Sequence, residues 1–148
     1  TNDAPSTITR LQNMGTPDYL ISAACQLVLA QRLARRTCKD CRVPDDDVNP
    51  KVLQDLGFSA EQASRAKAFK GKGCPKCKDT GYKGRQGIYE ILVVSKPLKE
   101  AILRQATTPE LREIAVKEGF QTMQDMGRRL ISSGDLNFRE YERVLMSE

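Results

Sequence analysis

The sequence predicts a mostly helical α+β fold stapled by a metal ion, and three observations point there. Helix start signals recur through both ends of the chain, two strand-like stretches lie between them, and four of the five cysteines fall into two C-x2-C pairs. At 148 residues the chain fits one ordinary domain or two small modules and is long enough to bury a core. Its hydrophobic fraction is 39% and its charged fraction 29%, the balance of a globular chain rather than a disordered one. No apolar run approaches the roughly 20 residues of a membrane span, and no charged-then-apolar leader opens the chain, so neither a membrane span nor secretion is expected. The first residue is Thr1 rather than Met, which fits a piece of a longer protein whose remainder would hold the chemistry.

The elements follow in order. Asn2 or Asp3 can cap a first helix that carries Pro5 in its first turn and stops at Gly15. Thr16 is expected to cap a second helix, with Pro17 in its first position and Asp18 suited to its dipole. That helix runs to about Cys25. Leu27, Leu29, Gln31 and Leu33 then alternate, which predicts a strand. PDDDVNP reads as a loop, Asn49-Pro50 opens a short helix ending at Gly57, and Ser59 with Gln62 makes a capping box for another. Glycines 81, 84 and 87 predict a turn, followed by a strand over Ile88–Val94.

The last third is helical. Ser95 and Pro97 open one helix, and Thr108-Pro109-Glu110 opens a second that ends at Gly119. Thr122 begins a third, closed by Gly134, and Asn137 with Glu140 reads as a capping box for the last. Leu98, Ile102, Leu111, Ile114, Leu130, Ile131 and Leu145 are the expected core of this part.

The cysteines carry the chemistry. CKDC places Cys38 and Cys41, CPKC places Cys74 and Cys77, and 32 residues separate the pairs. A C-x2-C turn directs two thiolates at one metal, each about 2.3 Å from it, and two turns complete a tetrahedron. Structural disulfides, a thioredoxin-like redox pair and an iron–sulfur cluster are the competing uses. Without a secretory leader, and with two knuckles present, a zinc site is the reading of the spacing. All four ligands would be thiolates and the chain has no His, so no coordination position stays open for water. The site would therefore be structural rather than catalytic. Cys25 lies in an apolar run and is expected to be a buried free thiol.

Net charge is +5, and the segment from Lys67 to Arg85 around the second knuckle is densely basic. A tetrathiolate zinc site carries a charge of about −2, so neighbouring cations have a bland reason to be there. Aromatics make up only 5% of the chain, a poor platform for stacking single-stranded bases. A nucleic-acid-binding zinc ribbon remains an alternative function, and a docking module is another. Catalytic machinery is missing: no phosphate loop of the Walker type exists, no His can act as base, and Asp45–Asp47 sit in a loop, read as solvent-exposed or as an acid cluster at a helix start.

An ordered set of segments adds a resemblance over nearly the whole chain. TNDAPSTITRLQNMG, LAQRLARRTCKDC, CPKCKDTGYKGRQGIYEIL and TMQDMGRRLISSGDLNFREYERVL together resemble the C-terminal part of the assembly ATPases of type IV pili and type II secretion, the PilB/GspE family. The stretch at about 42–70 is the least motif-like. The resemblance implies that Thr1 and Asn2 end a His-Thr-Asn motif of a RecA-like ATPase domain. It implies residues 1–37 as the trailing edge of that domain, 38–80 as an inserted zinc module, 81–94 as a strand returning to the ATPase domain, and 95–148 as a helical C-terminal subdomain. It implies a parent that binds ATP and Mg, works as a cytoplasmic homohexamer peripheral to the inner membrane, and acts on an inner-membrane platform protein. This chain, lacking the phosphate loop, would be inactive alone. Arg85 resembles an arginine near the family's adenine pocket, with a salt bridge or a turn cap as its structural alternative; Arg10 and Arg32 match as packing or interface residues.

Overall fold

Capping side chains set most of the helix boundaries. In this computed structural model, which describes residues 3–146, helix α1 (Ala4–Asn13) starts where the Asp3 carboxylate accepts from the Ser6 backbone N–H, with Pro5 in its first turn. Thr1 and Asn2, including Asn2 as a possible cap, lie outside the described residues. Helix α2 (Asp18–Ala24) has no side-chain cap, because Pro17 itself holds the flanking position and leaves Thr16 one residue too early. Asn49 caps α3 (Pro50–Asp55), and Ser59 with Gln62 forms the complete reciprocal box at α4 (Ala60–Arg65). Ser95 caps α5 (Lys96–Leu103), Thr107 caps α6 (Thr108–Lys117), and α7 spans Met123–Ser133. Asn137 caps α8 (Phe138–Tyr141), which runs on into a π-helical turn, Glu142–Met146. No helix among the described residues is long and apolar enough to cross a membrane.

Four strands complete the described residues. Strand β1 (Leu27–Thr37) pairs with β4 (Tyr82–Val93), and β2 (Arg42–Pro44) pairs antiparallel with β3 (Phe69–Gly71). Val94 N–H meets the Gln26 carbonyl at 2.9 Å and Cys38 N–H meets the Gly81 carbonyl at 2.9 Å, so β1 and β4 run antiparallel. β4 begins at Tyr82, well before the expected Ile88, because Gly84 and Gly87 lie within the strand paired to β1 instead of turning the chain; Gly84 takes φ +79° there. β2 and β3 had no sequence expectation, since three-residue strands are too short to show alternation.

The chain forms two compact units, one of residues Thr1–Gln31 and Tyr89–Met123, the other of Arg32–Ile88 and Gln124–Glu148. In the first, α1 packs on α2 and α6, and α5 packs on α2 and α6. Ala4, Ile8, Ile21, Leu92, Leu98, Ile102 and Leu111 are buried together there. Removing any one of the large members is expected to cost about 2–5 kcal/mol. A buried carboxylate lies among them: Glu90 accepts from the N–H of Ala4 at 2.5 Å and of Met123 at 2.9 Å. The second unit buries Leu53, Ile88, Ile131, Leu136, Tyr141 and Leu145. Of the core residues expected from sequence, Ile114 and Leu130 are only partly buried.

The alternation of β1 and β4 carries a reversal. Leu27, Leu29, Tyr89, Ile91 and Val93 form the exposed register of the strands in the first unit, while Val28, Ala30 and Leu92 turn to its core. The more apolar face is the one left open to solvent.

Candidate metal centre

The second unit assembles the four cysteines from three local constraints. Cys38 follows β1, and its N–H is held by the Gly81 carbonyl across the strand pair. Cys41 precedes β2, and the β2–β3 ladder sets Arg42 opposite Gly71 and steers the chain back toward the second knuckle. The Lys72 N–H then meets the Cys41 carbonyl at 3.2 Å. Cys74 and Cys77 bracket a tight 3-10 turn, Pro75–Cys77. The knuckles require close backbone approach: a Cβ on Gly71 would lie 2.2 Å from the Gly81 carbonyl oxygen.

All four Sγ atoms lie within 4.8 Å of one another. Cys38–Cys74 and Cys41–Cys77 are each 3.8 Å apart and Cys74–Cys77 is 3.6 Å. A tetrahedron with bonds of about 2.3 Å has edges of about 3.8 Å, so the sulfurs already stand at the spacing a single thiolate-bound ion requires. Backbone N–H groups point at the sulfurs: Gly73 to Cys41 at 3.3 Å, Cys74 to Cys77 at 3.2 Å and Gly81 to Cys77 at 3.3 Å. Such bonds stabilise thiolates and orient metal ligands. Cys38, Cys41 and Cys77 are buried and Cys74 is half-buried, so the group could bind a metal ion shielded from solvent.

Crowding pulls the thiols apart electrostatically. Burial pushes Cys41 up to about 12, with the neighbouring thiols adding to the rise against the Gly73 amide. Burial also opposes ionisation of Cys77, but the Gly81 and Cys74 amides and the Cys74 and Cys41 thiols outweigh it and hold Cys77 down at about 6.

Cys25 belongs to the other unit and caps the C-terminus of α2, where it is half-buried rather than buried; burial pushes its thiol up. The basic residues Lys67, Lys70, Lys72, Lys76, Lys78, Lys83 and Arg85 are exposed. Two of them pair with acids, Lys70 with Asp45 at 3.8 Å and Lys76 with Asp40 at 3.5 Å. The two aromatics of the segment already face arginines, Phe69 facing Arg42 at 5.0 Å and Tyr82 facing Arg35 at 4.1 Å.

Arg85 lies exposed on β4 with no ion pair among the described residues, so neither structural alternative, salt bridge or turn cap, is seen there. Arg32 donates to the Val144 carbonyl at 2.5 Å, and Arg10 is exposed on α1. Sequence reasoning took Glu140 for the second half of a capping box. Its N–H does bond Asn137, but its carboxylate turns instead to Arg35 and Arg143, which offer charged partners that the local amide cannot match.

Comparison with known proteins places these features. The model of the family described as "Type II/IV secretion system protein" matches residues 1–143. The type IV pilus assembly ATPase PilB of Myxococcus xanthus is 37% identical over 140 residues, 95% of this chain and 25% of that protein. PilB of Thermus thermophilus is 43% identical over 127 residues, 86% of this chain and 14% of that protein. The type II secretion system protein HxcR of Pseudomonas aeruginosa is 35% identical over 144 residues, 97% of this chain and 26% of that protein. The chain spans a quarter or less of the first two relatives, and about a quarter of the third.

Proposed function

The chain belongs to the type II/IV secretion system protein family, and from that premise we propose that it is the zinc-bearing C-terminal region of a motor ATPase that powers pilus assembly or type II secretion. The observation that carries this reading is the tetracysteine cluster, at tetrahedral spacing, inside a chain that matches the family along nearly its whole length. Cys38, Cys41, Cys74 and Cys77 would hold one zinc ion. Its chemistry there is architectural, since a four-thiolate ion has no position for substrate.

In this reading residues 1–37 are the trailing edge of a RecA-like domain, 38–80 the metal module, 81–94 the strand that returns to that domain, and 95–148 the helical tail. The open apolar register of Leu27, Leu29, Tyr89, Ile91 and Val93 supports it, because a strand apolar on both faces belongs in a sheet covered on both sides. The full-length parent would bind ATP and Mg, with Arg85 near the adenine, assemble as a homohexamer on the cytoplasmic side, and turn an inner-membrane platform protein. Relatives bear both pilus and secretion names, so the reading covers both branches.

The test is elemental analysis of the purified chain beside ATP turnover by the chain and by its full-length parent. One zinc per chain, no turnover by the chain and turnover by the parent are the expected results. Iron in the site, or an intact fold with no metal, overturns the zinc assignment; an inactive parent overturns the motor.

A further inference from the structure

The four sulfurs of the cluster are not equivalent. Cys41 Sγ takes the Gly73 N–H at 3.3 Å, and Cys77 Sγ takes those of Cys74 and Gly81 at 3.2 and 3.3 Å. Among the described residues Cys38 Sγ and Cys74 Sγ take no backbone N–H. An N–H bond draws charge off a thiolate, fixes its orientation and lowers its nucleophilicity. The two undamped sulfurs stand 3.8 Å apart, one from each knuckle. Exposure then separates them. Cys38 is fully buried, whereas Cys74 is half-buried in a stretch that also carries the exposed Lys72, Lys76 and Lys78. Oxidant-sensitive thiolates are partly exposed, lie near positive charge, and have a second cysteine within reach.

We propose that Cys74 is a modification site, where a hydroperoxide oxidises the cluster and Cys38 closes the resulting disulfide. This rests on the reading of the cluster as a zinc site, in which both sulfurs are thiolates. Cys74 Sγ attacks one peroxide oxygen: an S–O bond forms, the O–O bond breaks and hydroxide leaves. The sulfur gives up the two electrons that the peroxide gains. The Cys38 thiolate then attacks Cys74 Sγ, so that an S–S bond forms, the S–O bond breaks and a second hydroxide leaves. Solvent protons turn both hydroxides into water. The sulfurs close from 3.8 Å to about 2.05 Å in this step. Cys41 and Cys77 alone cannot keep a closed four-thiolate site, so oxidation releases the ion and unstaples the knuckles until a dithiol reduces the bond.

The test titrates the purified zinc-loaded chain with hydrogen peroxide and follows three readouts. Zinc is released to a chromogenic chelator, sulfenic acid is trapped with dimedone, and linked peptides are identified by mass spectrometry. Dimedone is expected on Cys74 before Cys25, the half-buried thiol outside the cluster. A Cys38–Cys74 peptide should accumulate with one zinc released per disulfide, and dithiothreitol with added zinc should return the metal. Wild-type protein serves throughout, because serine at a ligand position would itself weaken the site. Zinc retained under excess peroxide overturns the proposal. So does first labelling at Cys25 or at another cysteine of the cluster, and so does a link from Cys74 to Cys77 in place of Cys38. A chain that takes up no zinc at all overturns the metal reading itself, and this inference with it.

Discussion

The carboxylate of Glu140 holds Arg35 by backbone and side chain at once, accepting from the Arg35 N–H at 2.7 Å and from its guanidinium at 2.8 and 3.1 Å. Arg143 approaches the same carboxylate at 2.7 and 2.8 Å. The circuit closes through Tyr82: the Arg35 guanidinium lies over its ring, and its hydroxyl accepts from Asn137, the cap of α8. One buried acid therefore fastens the tail helix to β1 within the second unit.

That arrangement has a pH signature. Burial opposes the charge on Glu140, but the Arg143 and Arg35 hydrogen bonds outweigh it and hold the carboxyl at about 2, against an ordinary 4.5. A depressed folded-state value means stability that is whole above about 4.5 and is lost as pH falls toward about 2. Both arginines are half-exposed, so screening reduces the contribution to about 1–3 kcal/mol. Glu140→Gln should melt below wild type at neutral pH, and the gap should close between about pH 4.5 and 2. A gap that stays constant over that window in thermal melts assigns the loss to packing instead.

Part of this was legible in the sequence and part was not. Caps and prolines are local chemistry, so Ser59–Gln62, Asn49–Pro50 and Ser95–Pro97 placed their helices correctly. The cysteine spacing likewise survives folding, because each knuckle is only four residues long. The roles of Glu140 and Glu90 were not legible: Arg143 is three residues from Glu140, but Arg35 lies 105 residues away, and the two groups that bond Glu90 lie 86 and 33 residues away. The β2–β3 ladder was missed for want of length, and the exposed face of β1 because alternation reveals which residues share a face but not which face is covered.

Gly71 should tolerate no side chain. An added Cβ would meet the Gly81 carbonyl oxygen at 2.2 Å and its Cα at 2.7 Å, and backbone beside a metal knuckle cannot retreat as a side chain can. Gly71→Ala is expected to destabilise the chain by more than about 2 kcal/mol and to lower its bound metal. Full metal content with an unchanged melt would show that the β2–β3 turn can shift.

Gly127 tests a competition of signs. Within a helix, Gly→Ala ordinarily stabilises by about 1 kcal/mol. In α7 the new methyl would lie 2.5 Å from Leu145 Cδ1 and 2.7 Å from Tyr141 Cε2, both on buried side chains of the tail. Overpacking there is expected to win, leaving Gly127→Ala less stable than wild type by about 1–2 kcal/mol in denaturant titration. A more stable variant would mean that the tail packs loosely on α7.

Metal removal should act unevenly across the chain. The first unit has an apolar core of its own around Leu98, Ile102 and Leu111, whereas the knuckles are held by two three-residue strands and one tight turn. Structural zinc supplies about 10–16 kcal/mol of apparent binding free energy in small peptides, far more than such short pairings provide alone. A strong chelator, or Cys77→Ser, is therefore expected to speed amide exchange at Gly73 and Gly81, whose N–H groups are bonded to sulfur, while Leu98 and Ile102 stay protected. Cys25→Ser, in the other unit and outside the cluster, is the control and should leave both metal content and exchange unchanged. Uniform loss of protection would show that the two units unfold as one, and no change at all would mean that the thiols hold their places without an ion.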